Sequence, residues 1–566
     1  MNWLLNTSPL LRHVTTATPA DHGRDVVAGL TTAIMLIPQG MAYAMLAGLD
    51  PIVGLYASTV PVVLYALLGT SRQLAVGPVA MISLLVASGV APLAGGDPVV
   101  YLALAGLLAL MVGVMQFSMG MLRLGFLVRF LSHPVIAGFT SAAALIIGFS
   151  QLKHALGIDI PRSHHLYEIM GHALSNIADV HPLTVGLTVG SVVTLIVLKR
   201  FAPRFPRFLL VVAVSTVAVW ALGLDAAGVA IVGAVPSGLP APSLPSVSLQ
   251  SLYDLLPIAI TISLVAFMES ISVARSFARR GGYEVNADQE LRGLGLANMG
   301  SSFIGGYPVT GGFSRTAVNG QAGARSGLAG LVTAVVVGLT LLFLTPLFHY
   351  LPKAVLAAII MTAVVGLIDI AEARHLYRIS RPDLALMIIT FIATLGLGIE
   401  QGIMLGVAAS LLWFIWKVSR PHMATLGQLP DSNIFRDVQR YPEAHDLGDV
   451  LAIRIDAPLF FANTAFIKQH LEEQEAKMTR PIHGVIIDGK GIGTIDAAGD
   501  RLLHDLVDDY HKRDVEVWFA ALHGNVRDVL RASGLLEKVG EDHAVERVCH
   551  AVEFMNRLKE PVRESA

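Results

Sequence analysis

Gly311-Gly312-Phe313-Ser314-Arg315-Thr316 stands halfway along the chain, inside a stretch that is otherwise apolar. The two glycines free the backbone to turn, Ser314 is of the type that caps a following helix, and Arg315 comes directly behind it. At membrane depth a charged side chain costs about 3 kcal/mol or more, so an arginine there faces a cavity or a charged ligand. A helix beginning at Ser314 aims its unpaired amides and its dipole the same way as the guanidinium, and both favour an anion. The segment therefore reads as an anion site in a transporter.

The composition around it demands a bilayer. Of 566 residues, 54% are hydrophobic and 14% charged, and the mean hydropathy is +0.63, outside the range of soluble globular chains. A net charge of −2 argues against nucleic acid as a partner. Cys549 is the single cysteine, which excludes an intrachain disulfide and a thiolate metal cluster. No cleavable signal peptide is expected, because residues 1–23 lack a compact apolar core and a small-residue cleavage site.

Apolar segments fall at about 26–48, 52–68, 77–90, 99–121, 126–151, 181–198 and 207–224, then 255–272, 291–305, 313–321, 326–350, 352–368, 383–398 and 400–416. This is an α-helical membrane protein of 14 segments, seven followed by seven. Segments 77–90 and 313–321 are too short to cross about 30 Å of hydrocarbon as helix. Each is third in its half, and each opens on a breaker, Gly77-Pro78 in one and Gly311-Gly312 in the other. Paired interruptions at corresponding places point to an inverted repeat with its binding site between them.

An odd number of spans per half makes the halves point oppositely, and the basic residues agree. With a cytoplasmic N-terminus, the inner loops collect Arg72, Arg123, Arg129, Lys199, Arg200, Arg204, Arg207, Arg275, Arg279, Arg280, Arg292, Arg325, Arg374, Arg378, Arg381, Lys417 and Arg420. The outer connections hold Asp50, Asp97, Asp225 and Glu400, with Lys153, Arg162 and Lys353 as their cations. Both termini are therefore expected in the cytoplasm.

Beyond Arg420 the charged fraction rises, and apolar runs at 450–456, 484–488 and 515–520 read as strands alternating with helical patterns at 462–478, 497–513 and 524–533. A cytoplasmic α/β domain follows from that alternation. The expected division is an N-terminal segment 1–24, a membrane domain 25–420 with repeats at about 25–224 and 253–417, and a soluble domain 431–560.

Several stretches carry a family likeness. Ile37-Pro38-Gln39-Gly40-Met41-Ala42-Tyr43-Ala44 with Gly54-Leu55-Tyr56, Gly77-Pro78-Val79-Ala80, Phe313-Ser314-Arg315-Thr316-Ala317-Val318-Asn319, and Arg440-Tyr441-Pro442-Glu443-Ala444 with Ala457-Pro458-Leu459-Phe460-Phe461-Ala462-Asn463 occur in order along nearly the whole chain. They resemble the SulP sulfate permease family, solute carrier family 26 in animals. The resemblance implies a homodimeric anion transporter with core and gate domains, an elevator-like displacement of the core, and a C-terminal STAS domain. Substrates in the family include sulfate, bicarbonate, chloride and dicarboxylates, and bacterial members similar to this chain imply coupling to H+ or Na+.

The substrate-binding candidates are Gln39, Tyr43, Gly77, Pro78, Val79, Ala80, Phe313, Ser314, Arg315 and Thr316. Arg315 is read as the fixed cation between two opposed half-helix starts, or else as half of an internal ion pair. Pro78 suits the first turn of its helix, with Val79, Ala80 and Thr316 offering amides, while Ser314 either caps or donates to substrate. Gln39 and Tyr43 share one helical face; Gln39 binds substrate oxygen or is structurally hydrogen-bonded, and Tyr43 is a ligand or a packing aromatic. Glu269, in Phe267-Met268-Glu269-Ser270, is the coupling-ion candidate, or a structural partner of Arg315. A solvated outer turn suffices for Glu400.

Three patterns lead nowhere chemically. The spacing of His154, His164, His165, His172 and His181 matches no zinc frame, and Gly489-Lys490-Gly491-Ile492-Gly493 lacks the phosphate-loop arrangement. No catalytic triad or cofactor motif occurs, so neither enzyme chemistry nor a cofactor is expected. In the tail, Thr494-Ile495-Asp496-Ala497-Ala498-Gly499 puts alanines where phospho-switching STAS domains have acceptors, which leaves Thr494 as a weaker acceptor and dimer contact, expression or a cytoplasmic protein partner as the domain's role. The rival readings are an uncoupled anion conductor or exchanger of the same fold, and a membrane-tethered STAS sensor.

Overall fold

The computed structural model describes residues 10, 18–126, 132–160, 166–202, 206–242, 245 and 248–559. Arg129, Arg162, His164, His165 and Arg204 lie outside the described residues, as does most of 1–24. The chain divides into two compact units, 1–410 and 411–566.

The first unit is helical. Its principal helices are α1 (Pro19–Leu46), α2 (Pro51–Leu68), α3 (Ala80–Ala94), α4 (Pro98–Met121), α5 (His133–Ser150), α6 (Pro182–Phe201) and α7 (Arg207–Leu222). The second half supplies α8 (Leu249–Gly281), α9 (Ala287–Ser302), α10 (Phe313–Gln321), α11 (Leu328–Leu339), α12 (Lys353–Val364), α13 (Arg381–Leu397) and α14 (Ile399–Ser419), which runs on into the second unit. Each expected apolar segment coincides with one of them. Among the described residues, nine helical stretches are long and apolar enough to span a membrane. Local chemistry sets their ends: Thr18 and Asp21 form a capping box before α1, with Pro19 in its first turn, and Asp97 caps α4 through the amides of Val99 and Val100.

Packing sorts the helices into two groups that each draw on both halves of the sequence. α9 lies along α4 and α2, α11 along α1 and α2, and α8 against α3 and α4. The other group joins α13 to α5 and α12 to α5, α6 and α7. The first four elements of each half thus pack together, and the next ones form a second set that meets the first where α12 and α7 lie on α1 and α5 on α3.

Two buried carboxylates fasten the first group. Glu290 of α9 accepts hydrogen bonds from Tyr65 Oη (2.6 Å), Thr70 N (2.6 Å), Thr70 Oγ1 (2.6 Å) and Ser71 N (3.0 Å), closing the connection after α2. Asp25 of α1 does the same for the connection before α11, taking Arg325 N (2.7 Å), Ser326 N (3.1 Å) and Ser326 Oγ (2.6 Å). Both carboxylates are fully buried and depend on these donors for solvation. Glu290→Ala is expected to destabilise the purified protein by about 3–5 kcal/mol, and Tyr65→Phe, which removes one donor, by about 1 kcal/mol. An unchanged melting temperature in Glu290→Ala would refute this account.

The second unit contains a six-stranded sheet in the order β4-β3-β5-β6-β7-β8. The strands are β3 (Met423–Gln428), β4 (Phe435–Asp437), β5 (Val450–Ile455), β6 (Gly484–Asp488), β7 (Glu516–Ala520) and β8 (Ala544–Val545); β5 to β8 pair in parallel, and β3 is antiparallel to β5. Strand periodicity sends Leu451, Ile453, Val485, Ile487, Val517 and Phe519 to one face, under α15 (Thr464–Glu475), α16 (Ala497–His511) and α17 (Gly524–Ala532). Ala452, Ile486 and Trp518 face the other way, under Ala551 and Met555. The sheet begins at Met423, ahead of the expected 431, because β3 and β4 are a short, mixed-polarity hairpin without a readable apolar run.

At the start of α16, Asp496 Oδ1 accepts from Ala498 N (2.9 Å) and Gly499 N (2.8 Å), and Oδ2 from Phe461 N (3.0 Å). The bonds from Gly499, Phe461 and Ala498 hold its carboxyl below the usual carboxylate range. The aspartate is a cap in a position whose neighbours are Ala497 and Ala498.

Candidate substrate site

Two short strands make the frame of the site. β1 (Val76–Gly77) and β2 (Thr310–Gly311) pair antiparallel, Val76 opposite Gly311 and Gly77 opposite Thr310. α3 starts three residues after β1, and α10 two residues after β2. The helices are 15 and 9 residues long, about 22 Å and about 14 Å, so neither crosses a bilayer alone. Their first amides have no acceptor within the helix. Ser83 N to Val79 O (2.9 Å) and Thr316 N to Gly312 O (3.0 Å) are the first intrahelical bonds, which leaves Ala80, Met81 and Ile82 on one side and Phe313, Ser314 and Arg315 on the other.

Arg315 lies 1% exposed across this junction. Nη1 donates to Pro78 O at 2.5 Å, while Nε and Nη2 are buried without a hydrogen-bond partner. The guanidinium rests against two glycines. A Cβ at Gly312 would come within 2.9 Å of Nη2, and one at Gly77 within 3.5 Å, with Gly77 at φ +151°. Gly312→Ala is therefore expected to displace the guanidinium and weaken anion binding about tenfold, since overpacking costs about 1–3 kcal/mol. Equilibrium binding of labelled anion to the purified variant measures it; wild-type affinity would mean the guanidinium has room to spare.

α1 contributes Gln39, 1% exposed, with both Oε1 and Nε2 buried and unpartnered. It shares a helix face with Leu36, which touches the space above Gly77, and with Tyr43, which is buried and interacts electrostatically with both Arg315 and Glu269. Pro38 lies inside α1 directly before Gln39 and has no amide to donate to the turn before it. α8 contributes Glu269, whose Oε2 is likewise buried without a partner. Among the described residues no ion pair within 4 Å joins Glu269 to Arg315, although each feels the other's charge. Gln39, Arg315 and Glu269, from three elements, thus each bury polar atoms without partners, an arrangement that is costly until complementary groups reach them.

Some candidates sit differently from their sequence reading. Gly312, not Ser314, is the N-cap of α10; Ser314 is its second residue and is exposed, as is Phe313 at 59%. Pro78 precedes the α3 cap, Val79, and acts through its carbonyl instead of lying in the first helical turn. Thr316 has neither group free: its amide bonds Gly312 O, and its Oγ1 donates to Gly312 O (2.7 Å) while accepting from Ala75 N (3.1 Å). It braces the junction. Ala80 keeps an unpaired amide at the α3 start.

Sequence reasoning passed over Tyr307, fully buried, whose Oη meets Ser83 Oγ at 3.1 Å and which interacts with Arg315. Its signal was an aromatic residue beside Pro308, a few positions ahead of Gly311-Gly312. Glu290 was missed because it stands just outside the apolar run beginning at 291, although Asn286, the α9 cap, marks the helix start.

A helical membrane fold with a buried, incompletely satisfied arginine at two half-helix starts is the architecture of a multi-pass membrane protein that meets an anion. The sulfate permease family profile matches residues 23–390, and the STAS domain profile residues 441–552. The chain belongs to the sulfate permease family. It is 39% identical to sulfate transporter 4.1, chloroplastic, of Arabidopsis thaliana, over 98% of this chain and 83% of that protein. The structure of SLC26A9 superimposes with TM-score 0.90 at 26% identity, covering 99% of this chain and 94% of that one. The transmembrane domain of a cyanobacterium bicarbonate transporter, BicA, matches with TM-score 0.61 at 25% identity, over 70% of this chain and 98% of that one.

Proposed function

We propose that the protein carries a small oxyanion, sulfate ahead of bicarbonate or a dicarboxylate, by H+- or Na+-coupled symport across the cytoplasmic membrane. The observation that carries this reading is the Arg315 guanidinium, buried with two free donors between the starts of α3 and α10. A tetrahedral dianion accepts from those donors, from the free amides of both helices and from Gln39 Nε2. Sulfate stands first because relatives such as the Arabidopsis protein are named as sulfate transporters.

Coupling follows from charge. With Glu269 ionised, the empty site is balanced by Arg315, and a bound dianion leaves two excess negative charges. Protonation of Glu269, or a cation beside it, removes one of them, so anion and coupling ion enter together. The group of α1–α4 and α8–α11 carries the site and moves as the core of an elevator past the remaining helices, in a homodimer with both termini in the cytoplasm. Gln39, Tyr43, Gly77, Pro78, Val79, Ala80, Phe313, Ser314, Arg315 and Thr316 form or brace the substrate site in this scheme.

The test is uptake of labelled sulfate, bicarbonate and dicarboxylate into proteoliposomes of the full-length protein, with and without imposed proton and sodium gradients. Concentrative sulfate uptake driven by one gradient is expected. Flux of equal size without either gradient would overturn the symport reading, and no flux of any labelled anion would overturn transport.

A further inference from the structure

Glu269 lies on α8 and Arg315 on α10, so something between the helices must set their separation. The link is β2. Gly312 N bonds Ala75 O (3.0 Å), and by the alternation of an antiparallel ladder the amide of Gly311 points away from β1. It donates to Ser270 Oγ at 2.8 Å. Thr310 Oγ1 donates to Ala266 O at 2.7 Å, so the 2.7 Å contact between the two hydroxyls runs from Ser270 to Thr310. Ser270 and Thr310 are both fully buried. Ser270, next to Glu269 in sequence, thereby supplies the edge that a third strand would give β2.

A second route closes the frame one residue earlier. Val309 N donates to Asn298 Oδ1 (2.7 Å), and Asn298 Nδ2 donates to Val309 O (3.1 Å) and Gln116 Oε1 (2.9 Å). Gln116 Nε2 then reaches Ser263 O on α8 (3.2 Å). The strand before the arginine is tied to the helix of the carboxylate at both ends, through groups with no access to water.

We propose that Ser270 is a positioning residue that holds Glu269 at a fixed separation from Arg315, so that the proton-binding carboxylate and the anion-binding guanidinium travel as one body. This rests on the reading of Glu269 as the coupling group. The charged and titratable groups around Glu269 are Arg315 of α10 and Tyr43 of α1, with Tyr307 beyond the arginine. Loosening the Ser270 link lets the guanidinium recede, and a carboxylate that loses a neighbouring cation binds its proton more readily.

The pH profile of labelled sulfate uptake in proteoliposomes tests this, with Ser270→Ala, Thr310→Val and Thr310→Ser beside wild type and Glu269→Gln. Ser270→Ala and Thr310→Val are expected to move the midpoint toward higher pH by about half a unit or more. Thr310→Ser, which keeps the hydroxyl, is expected to retain the wild-type midpoint. A uniform fall in rate at every pH with an unmoved midpoint would mean a merely structural role and overturn the proposal. If Ser270→Ala fails to fold, the Thr310 pair decides. Wild-type proton dependence in Glu269→Gln would instead remove the coupling reading, and the Ser270 proposal with it.

Discussion

Arg315→Ala is expected to abolish concentrative uptake of every anion the wild-type protein carries, reducing initial rates by at least about a hundredfold. The guanidinium is 1% exposed and supplies a full positive charge at the junction of α3 and α10. Removing one partner of a buried charge interaction costs about 3–5 kcal/mol, a factor of a hundred or more in binding. The half-helix amides left behind carry only a partial charge, screened by whatever water fills the vacated space. Arg315→Lys is expected to restore little, because one ammonium cannot keep the bond to Pro78 O and present two further donors in a plane. Loss of binding and of transport should go together in a titration of purified protein with labelled sulfate. Retained binding in Arg315→Ala would assign the arginine to movement of the site and not to its chemistry.

Glu269→Gln is expected to separate anion binding from its driving force. Glutamine imitates the protonated carboxyl in shape and charge, so the site is permanently in the state that accepts the dianion. Affinity for sulfate should stay within about threefold of wild type at acid pH, since no hydrogen bond to Glu269 Oε2 is lost. Uptake should no longer follow an imposed proton gradient, and should lose its dependence on external pH. Sodium coupling through the same carboxylate is distinguished by the same variant, which would then lose its sodium dependence. A variant with wild-type gradient dependence would exclude Glu269 from coupling.

The membrane architecture was legible because its signals are local. Each apolar segment is its own evidence, and the breakers Gly77-Pro78 and Gly311-Gly312 mark β1 and β2 to within a residue. Chemistry at the ends of α10 was less legible. Ser314 has the side chain of a cap, yet Gly312 takes the position because β2 ends at Gly311 and the chain turns at once. Thr316 reads as offering its amide to substrate, but that amide closes the first turn of α10 onto Gly312 O. Glu290 and Asp25 carry no local signal of their role, and only the loops folded onto them make them fastenings.

The sequence alone determined that this chain lives in a bilayer, roughly where its helices lie, which two of them are cut short, and that a cation and a carboxylate lie among apolar residues. Those properties follow from hydrophobic length, helix punctuation and charge, each readable within a few turns. Only the tertiary structure decided that Arg315 turns toward the α3 start, that polar atoms of Gln39 and Glu269 are buried without partners, and that Ser270 bonds β2 to α8. Each of these depends on hydrogen bonds between segments remote in the chain, and their geometry comes from packing that no local pattern encodes.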